Sequence, residues 1–268
     1  MPETSIPLFP LLAALVGLVL GSFYTACVHR YIHEMSLVHP ARSLCPGCGH
    51  ALSWWENVPL LSYALLRGRC RHCGMAISAR YPAMELLSGV FAVLLAWRFG
   101  PSAQWAVYMA FTGIFLVASF IDLELYILPD RLTIGGTLLA LVCAVAFLGE
   151  GPLWQRVQWT FLGLLAGGGF FWLLQQFYRI VRRVEGVGTG DVKLMCLIGA
   201  LVGPAGLPLA VTAAAVSALV ASVFWLLAPG ARGMHTRVPF GPFLCLGALV
   251  QVLWGDAFWA WYLRAVAG

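Results

Sequence analysis

Apolar positions run through this chain in long blocks, and polar residues gather into short stretches between them. Eight blocks approach the length of a helical bilayer crossing, which takes about 20 apolar residues. They are Leu8 to Val28, Ala83 to Phe99, Ala103 to Ile121, Leu132 to Leu148, Trp159 to Tyr178, Leu194 to Val202, Leu207 to Leu227, and Phe240 to Trp254. The pattern predicts an all-α polytopic membrane protein with about eight transmembrane helices. Leu194 to Val202 is too short to span unless its helix starts at Asp191 and runs past Gly203, and Asp256 blurs the end of the last block.

The polar stretches divide the chain into a first transmembrane anchor (1–28), a hydrophilic insert (29–82) and a multi-span domain (83–268). The first block is read as a retained anchor: the residues before it carry Glu3 and no Lys or Arg, which is wrong for the basic start of a signal peptide.

Composition strengthens the membrane reading. Hydrophobic residues make up 61% of the chain and charged residues 10%, against roughly 45–50% apolar in a soluble domain. Eight spans place Arg30, Arg42, Arg67, Arg69, Arg71, Arg80, Arg131, Arg179, Arg182, Arg183, Lys193, Arg232 and Arg237 on one side, and only Arg98, Arg156 and Arg264 on the other. The positive-inside rule makes the first side cytoplasmic, with both termini outside. The net charge of +5 is then explained by arginines beside the spans, facing anionic membrane lipid, and nucleic acid is not an expected partner.

The insert carries two cysteine pairs, Cys45-Pro-Gly-Cys48 and Cys70-Arg-His-Cys73. Two such knuckles supply four thiolates that can close tetrahedrally on zinc, and a four-cysteine site leaves no open position for water, so the expected role is structural. The thiols of a cytoplasmic segment stay reduced, which disfavours disulfides. An insert of this size buries little core, and metal binding would supply much of its folding free energy. His50 and His72 flank knuckles whose ligand positions are already filled. Cys27, Cys143, Cys196 and Cys245 stand singly in apolar runs and read as small core residues. Trp54, Trp55, Pro59, Leu60 and Leu61 form an apolar strip suited to the headgroup layer.

Two aspartates mark the edges of apolar blocks: Asp122 in SFIDLELYILPD and Asp191 in EGVGTGDVKL. On the predicted topology both face the cytoplasmic side at one depth. Two carboxylates brought together can share a proton and activate a water, and carboxylates at a membrane boundary tend to be functional. The competing reading makes Asp191 a helix N-cap and lets Asp130 cap the helix that follows Pro129. Gly186, Gly188 and Gly190 favour a close approach by a substrate backbone. No GK[ST] ending follows, so the loop is not a phosphate loop.

These motifs, together with GSFYTACVHR, CPGCGH with WWENVPLLSY, RGRCRHC with ISARYPAMELL, and PFGPFLCLG, occur over nearly the whole chain. In this set and order the chain resembles the type IV prepilin peptidases, GxGD-type aspartyl proteases of the bacterial inner membrane that also N-methylate their product. The resemblance implies catalysis by Asp122 and Asp191, a metal-binding insert at Cys45, Cys48, Cys70 and Cys73, and prepilins or pseudopilins as substrates. It implies cleavage after a glycine that ends a short basic leader, then methylation of the new N-terminal residue with S-adenosylmethionine as donor. In that family the first motif commonly has Asn where Thr25 stands. No motif marks the donor site, and Glu85 competes with an ordinary interfacial carboxylate for that role. Glu150 and Asp256 are expected to be dispensable. The alternatives weighed are a presenilin-like intramembrane protease sharing the GxGD loop and a zinc-gated cation transporter in which the two aspartates bind the ion.

Overall fold

A computed structural model of the chain describes residues 8–36, 42–183, 186–227 and 238–267. Glu3, Glu185, Arg232 and Arg237 of the expectations above lie outside these. Among the described residues there is no β-strand, only the isolated bridges Leu44 to Ala51 and Arg69 to Ala76. The helices are α1 (Leu8–Ile32), a short α2 (Leu61–Leu65), α3 (Arg80–Phe99), α4 (Ala103–Leu125), α5 (Asp130–Cys143), α6 (Leu153–Phe177), α7 (Thr189–Leu227) and α8 (Gly241–Ala267). All but α2 contribute a segment long and apolar enough to cross a membrane. Large apolar side chains such as Leu165, Leu173, Leu219 and Phe224 point outward, as they would toward lipid. The chain is a multi-pass membrane protein, helical because hydrocarbon leaves backbone polar groups no partners outside the helix itself.

The chain divides into two compact units, residues 1–117 and 118–268. In the first, α1 buries a stripe spaced four residues apart, Ala13, Gly17, Gly21 and Thr25. A β-carbon on Gly17 would lie 2.7 Å from the Ser88 carbonyl oxygen, and one on Gly21 would lie 2.6 Å from the Glu85 Cα. The seam therefore admits only small residues, and backbone approach replaces the hydrophobic drive that lipid cannot supply. Thr25 lies on this seam and donates its hydroxyl to the Gly21 carbonyl at 2.8 Å, so its polar group is satisfied within its own helix.

The second unit contains the reversal expected between the sixth and seventh apolar blocks. α7 comprises two helical arms that meet at Gly203, which has φ 69° and ψ 174°, and Pro204 follows. A β-carbon on Gly167 of α6 would meet the Met195 carbonyl at 2.5 Å and the Leu207 side chain at 3.2 Å. Met195 and Leu207 stand on opposite sides of Gly203, so the chain folds back there and the two arms of α7 are antiparallel. Contacts along α8 agree. Trp259 Nε1 donates to the Ala205 carbonyl at 3.2 Å, while Gly247, nearer the start of α8, abuts Ala210 and Ala214. The expected sixth and seventh blocks are thus two arms joined at one glycine. The sixth begins at Thr189 and stops at Gly203 instead of running past it, and the chain still makes about eight membrane-spanning helical segments.

Interhelical hydrogen bonds in membranes contribute only ~0.6 kcal/mol each on average. The close seam of Gly163 on Gly199 and Gly167 on Met195, continuous along α6 and α7, is the larger source of cohesion.

Candidate active site

Asp122 sits near the end of α4, which stops when Tyr126 takes a left-handed φ of 56° and Pro129 follows. The Asp122 side chain is buried, at 5% exposure, and its Oδ2 accepts the backbone N–H of Gly241 at 3.1 Å. Gly241 is the first residue of α8, so a helix N-terminus, the positive end of its dipole, faces the carboxylate. A β-carbon on Gly241 would fall 2.6 Å from Oδ2, which makes glycine a steric requirement at this position.

Asp191 lies in the first turn of α7. Its carboxylate accepts the Gly188 N–H, reaching back across the turn like the acidic member of a capping box. The helix-cap expectation is therefore met in part, by reach-back from within the first turn. Asp191 also lies close enough to Asp122 for the two charges to interact. The glycine loop before it is tied to α6 by Gln175 Nε2, which donates to the Val187 carbonyl at 2.9 Å. Leu128 packs between the two glycine elements: β-carbons on Gly190 and Gly241 would come within 3.0 and 3.2 Å of its side chain. Asp130 opens α5 with Pro129 before it, and it takes Lys193 Nζ at 2.6 Å, so it is the ion-pair partner of a lysine two residues after Asp191.

In the other unit the cysteine insert is built on a local repeat. In the first knuckle Cys45 N–H donates to the His50 carbonyl at 2.9 Å and Gly49 N–H to the Cys45 carbonyl at 2.8 Å. In the second, Cys70 N–H donates to the Met75 carbonyl at 2.8 Å and Gly74 N–H to the Cys70 carbonyl at 2.9 Å. Gly49 and Gly74 have φ 69° and 71°, so each knuckle closes on a left-handed glycine. The four Sγ atoms lie within 4.8 Å of one another, and Cys45 and Cys73 are 3.7 Å apart. Sulfurs about 2.3 Å from a tetrahedral zinc stand roughly 3.8 Å apart, so the cluster fits a metal of that size. The backbone N–H groups of Cys73 and His72 hold the Cys70 thiol down at about 7, while Cys48, despite the His50 backbone N–H, is pushed up to about 11 by desolvation and its thiol neighbours, and Cys73 is also raised; four thiolates side by side need a cation between them. The cysteines form no disulfide. His50 and His72 stay outside the thiol cluster, with their rings 3.5 Å apart beside Glu56.

The chain matches the model of the bacterial peptidase A24 N-terminal domain over residues 15–99 and that of the type IV leader peptidase family over residues 109–223. It is 35% identical to a prepilin leader peptidase/N-methyltransferase of Burkholderia pseudomallei, covering 92% of this chain and 86% of the relative. The chain belongs to the type IV leader peptidase family. Proteins of the same description from Pseudomonas putida and Pseudomonas aeruginosa are 34% and 32% identical, with 94% and 96% of this chain covered and 93% and 94% of each relative. No solved structure matches the chain.

The family match over 109–223 contains both aspartates, and the N-terminal match contains all four cysteines. Sequence reasoning missed several neighbours of Asp122 and Asp191. Gly241 belongs to a noted motif, but its contact with Asp122 spans 119 residues. Cys245, read as a core residue, is indeed buried, yet it hydrogen-bonds Ser119 and feels both aspartate charges. Glu85, weighed for the methyl donor and as an interfacial carboxylate, is buried and not facing headgroups; it accepts the Leu60 N–H at 2.8 Å and a hydrogen bond from Ser22. It anchors Leu60, held at a left-handed φ of 59°, to the helices on either side of the insert.

Proposed function

We propose that this chain is a prepilin peptidase of the bacterial inner membrane, that Asp122 and Asp191 are its catalytic pair, and that they face the cytoplasm. It removes the leader from type IV prepilins or pseudopilins and then N-methylates the new N-terminal residue. The observation that carries this reading is the pairing of Asp122 and Asp191 from α4 and α7 within electrostatic reach, with Gly241 N–H fixing one oxygen of Asp122.

The mechanism gives the two aspartates one proton between them, one acting ionised and the other protonated, and two carboxylates used in this way titrate as a unit. The ionised aspartate takes a proton from a water, whose oxygen attacks the scissile carbonyl, while the protonated one donates to the carbonyl oxygen. When the tetrahedral intermediate collapses, the C–N bond breaks and the departing amine takes a proton from the pair. No acyl-enzyme forms. The glycines before Asp191 give the substrate backbone room, and the boundary position lets water satisfy peptide groups freed as the prepilin helix unwinds.

The insert is a folding unit held by zinc on Cys45, Cys48, Cys70 and Cys73, a set whose spacing fits that ion. The metal supplies structure there and no reaction step. S-adenosylmethionine supplies the methyl group of the second activity. The cation-transporter reading has no support from the relatives, which are named as peptidase/N-methyltransferases.

Purified protein in detergent, mixed with a prepilin and followed by N-terminal mass, tests this reading. Wild type removes the leader and, with S-adenosylmethionine, adds one methyl group; Asp122→Asn and Asp191→Asn do neither on uncut prepilin. Full cleavage by either folded variant would remove that aspartate from the mechanism.

A further inference from the structure

Three side chains that the thiol cluster does not use converge beside it. His50 follows the first knuckle, His72 lies inside the second between Cys70 and Cys73, and Glu56 belongs to the turn Trp54–Asn57 between them. Their ligating atoms, one from each residue, all lie within 4.8 Å of one another, in a group that shares no member with the four thiols.

The surrounding backbone holds the group in place. The His50 carbonyl accepts the Cys45 N–H at 2.9 Å, so this residue is fixed to the ribbon of the first knuckle. Glu56 is 7% exposed, and its Oε2 accepts the Ser53 N–H at 2.8 Å. That bond aims the carboxylate, in the way a main-chain donor orients a metal ligand, and leaves it able to accept further at its other oxygen. Capping accounts for the bond to Ser53. It gives no reason for two imidazoles, from chain segments 22 residues apart, to meet at the same carboxylate.

We propose that His50, Glu56 and His72 form a second metal site, for a divalent first-row ion of the zinc class. Imidazole suits zinc, copper, iron and nickel, whereas calcium and magnesium take nearly all their ligands from oxygen. Two histidines and one glutamate fill three positions of a tetrahedral ion and leave the fourth to water. Nitrogen and oxygen ligands about 2.0–2.1 Å from such an ion stand roughly 3.3 Å apart. The imidazole centroids are 3.5 Å apart with the rings tilted by 34°, and the terminal torsion of histidine is broad, so turning the exposed His72 ring closes the set. Burial grades from Glu56 through half-buried His50 to exposed His72, which gives the ion a way in from water. The thiol cluster is a closed site, while this one is open and exchangeable. An ion here ties the Trp54–Asn57 turn to both knuckles, a cross-link that the thiol site does not make.

The test uses the full chain in detergent, dialysed against a weak chelator and titrated with cobalt(II) alone. Wild type is expected to take up one further ion per chain, with the weak absorption of nitrogen and oxygen ligands and no sulfur-to-metal charge-transfer band. Loss of a group that only orients a ligand costs about 10–100-fold in metal affinity, so removing a ligand should cost about 100-fold or more. His50→Ala, Glu56→Gln and His72→Ala are each expected to weaken the ion on that scale. Glu56→Gln keeps an oxygen for the Ser53 N–H, which separates loss of the ligand from loss of the cap. Leader cleavage at the wild-type rate, with unchanged metal content before titration, reports that each variant is folded. No uptake by wild type would overturn the inference. Uptake retained by all three variants would place the ion on other histidines, and uptake with an intense charge-transfer band would place it on the thiols; either result would also overturn it.

Discussion

The backbone N–H of Gly241 donates to Asp122 Oδ2 at 3.1 Å, joining the first turn of α8 to the end of α4. A methyl group at residue 241 would occupy space 2.6 Å from that oxygen, so the carboxylate or the helix must move. Displacement of a catalytic group by about 1 Å costs on the order of 10²-fold in rate. Gly241→Ala is expected to lose cleavage on that scale, as kcat, while the protein still inserts and purifies normally. Leader removal under single-turnover conditions is the measurement.

On the proposed mechanism Asp122 and Asp191 act as one device, which sets how their losses combine. Removing a general acid or base typically costs about 10²–10⁴-fold, and groups acting as a unit are strongly non-additive. The double variant Asp122→Asn with Asp191→Asn should therefore be little slower than the worse single variant. Rates that multiply would mean two independent roles.

Metal binding by the insert should follow the thiolates. Because ligands must be deprotonated, affinity falls as pH falls; Cys70, held at about 7, gives up its proton more readily than an ordinary thiol of ~8.5. Metal analysis across pH 5 to 8 should find a bound ion retained at neutral pH and shed toward pH 5. Cys45→Ser should lower the bound ion at every pH. Chelation at neutral pH should expose residues 42–80 to protease, since the metal contributes folding free energy there.

Gly203 supports a conformation that other residues rarely adopt, with φ 69° and ψ 174°, and a β-carbon there would run into the Trp159 indole. Backbone strain of this kind costs roughly 1–3 kcal/mol, before the clash is counted. Gly203→Ala should lower the thermal midpoint in detergent, and Gly203→Ala combined with Trp159→Ala should recover the part owed to the indole. Equal midpoints for Gly203→Ala and wild type would mean that the turn relaxes freely.

Much of this was legible in the sequence because the relevant physics is local or compositional. Apolar blocks announce spans, CxxC spacing announces a thiol cluster, and a carboxylate at a block edge stands out because its burial is costly. The turn between the sixth and seventh blocks was legible as the gap at 203–206; what the sequence did not show was that a single residue makes it, since hydropathy averaged over a window is blind to the sign of the φ at Gly203. The clasp of Gly241 on Asp122 and the wedge of Leu128 between two glycine elements depend on packing between distant segments, which no spacing rule encodes. Glu85 shows the opposite case. Its type and position were visible, but only the Leu60 N–H beside it reveals a structural anchor.

The first arm of α7, from Thr189 to the break at Gly203, has about 14 helical residues and rises roughly 21 Å. A hydrocarbon core is about 30 Å thick. The shortfall is met within the protein: Leu194, Met195, Leu197, Ile198, Ala200 and Leu201 of this arm are buried, and a helix end at membrane depth is tolerated where protein covers it. Asp191 is carried on the end of that arm. A half-length arm enclosed by its neighbours fixes that end against the bundle and not against fluid lipid, so the carboxylate it carries keeps its place when the surrounding bilayer thickens or thins.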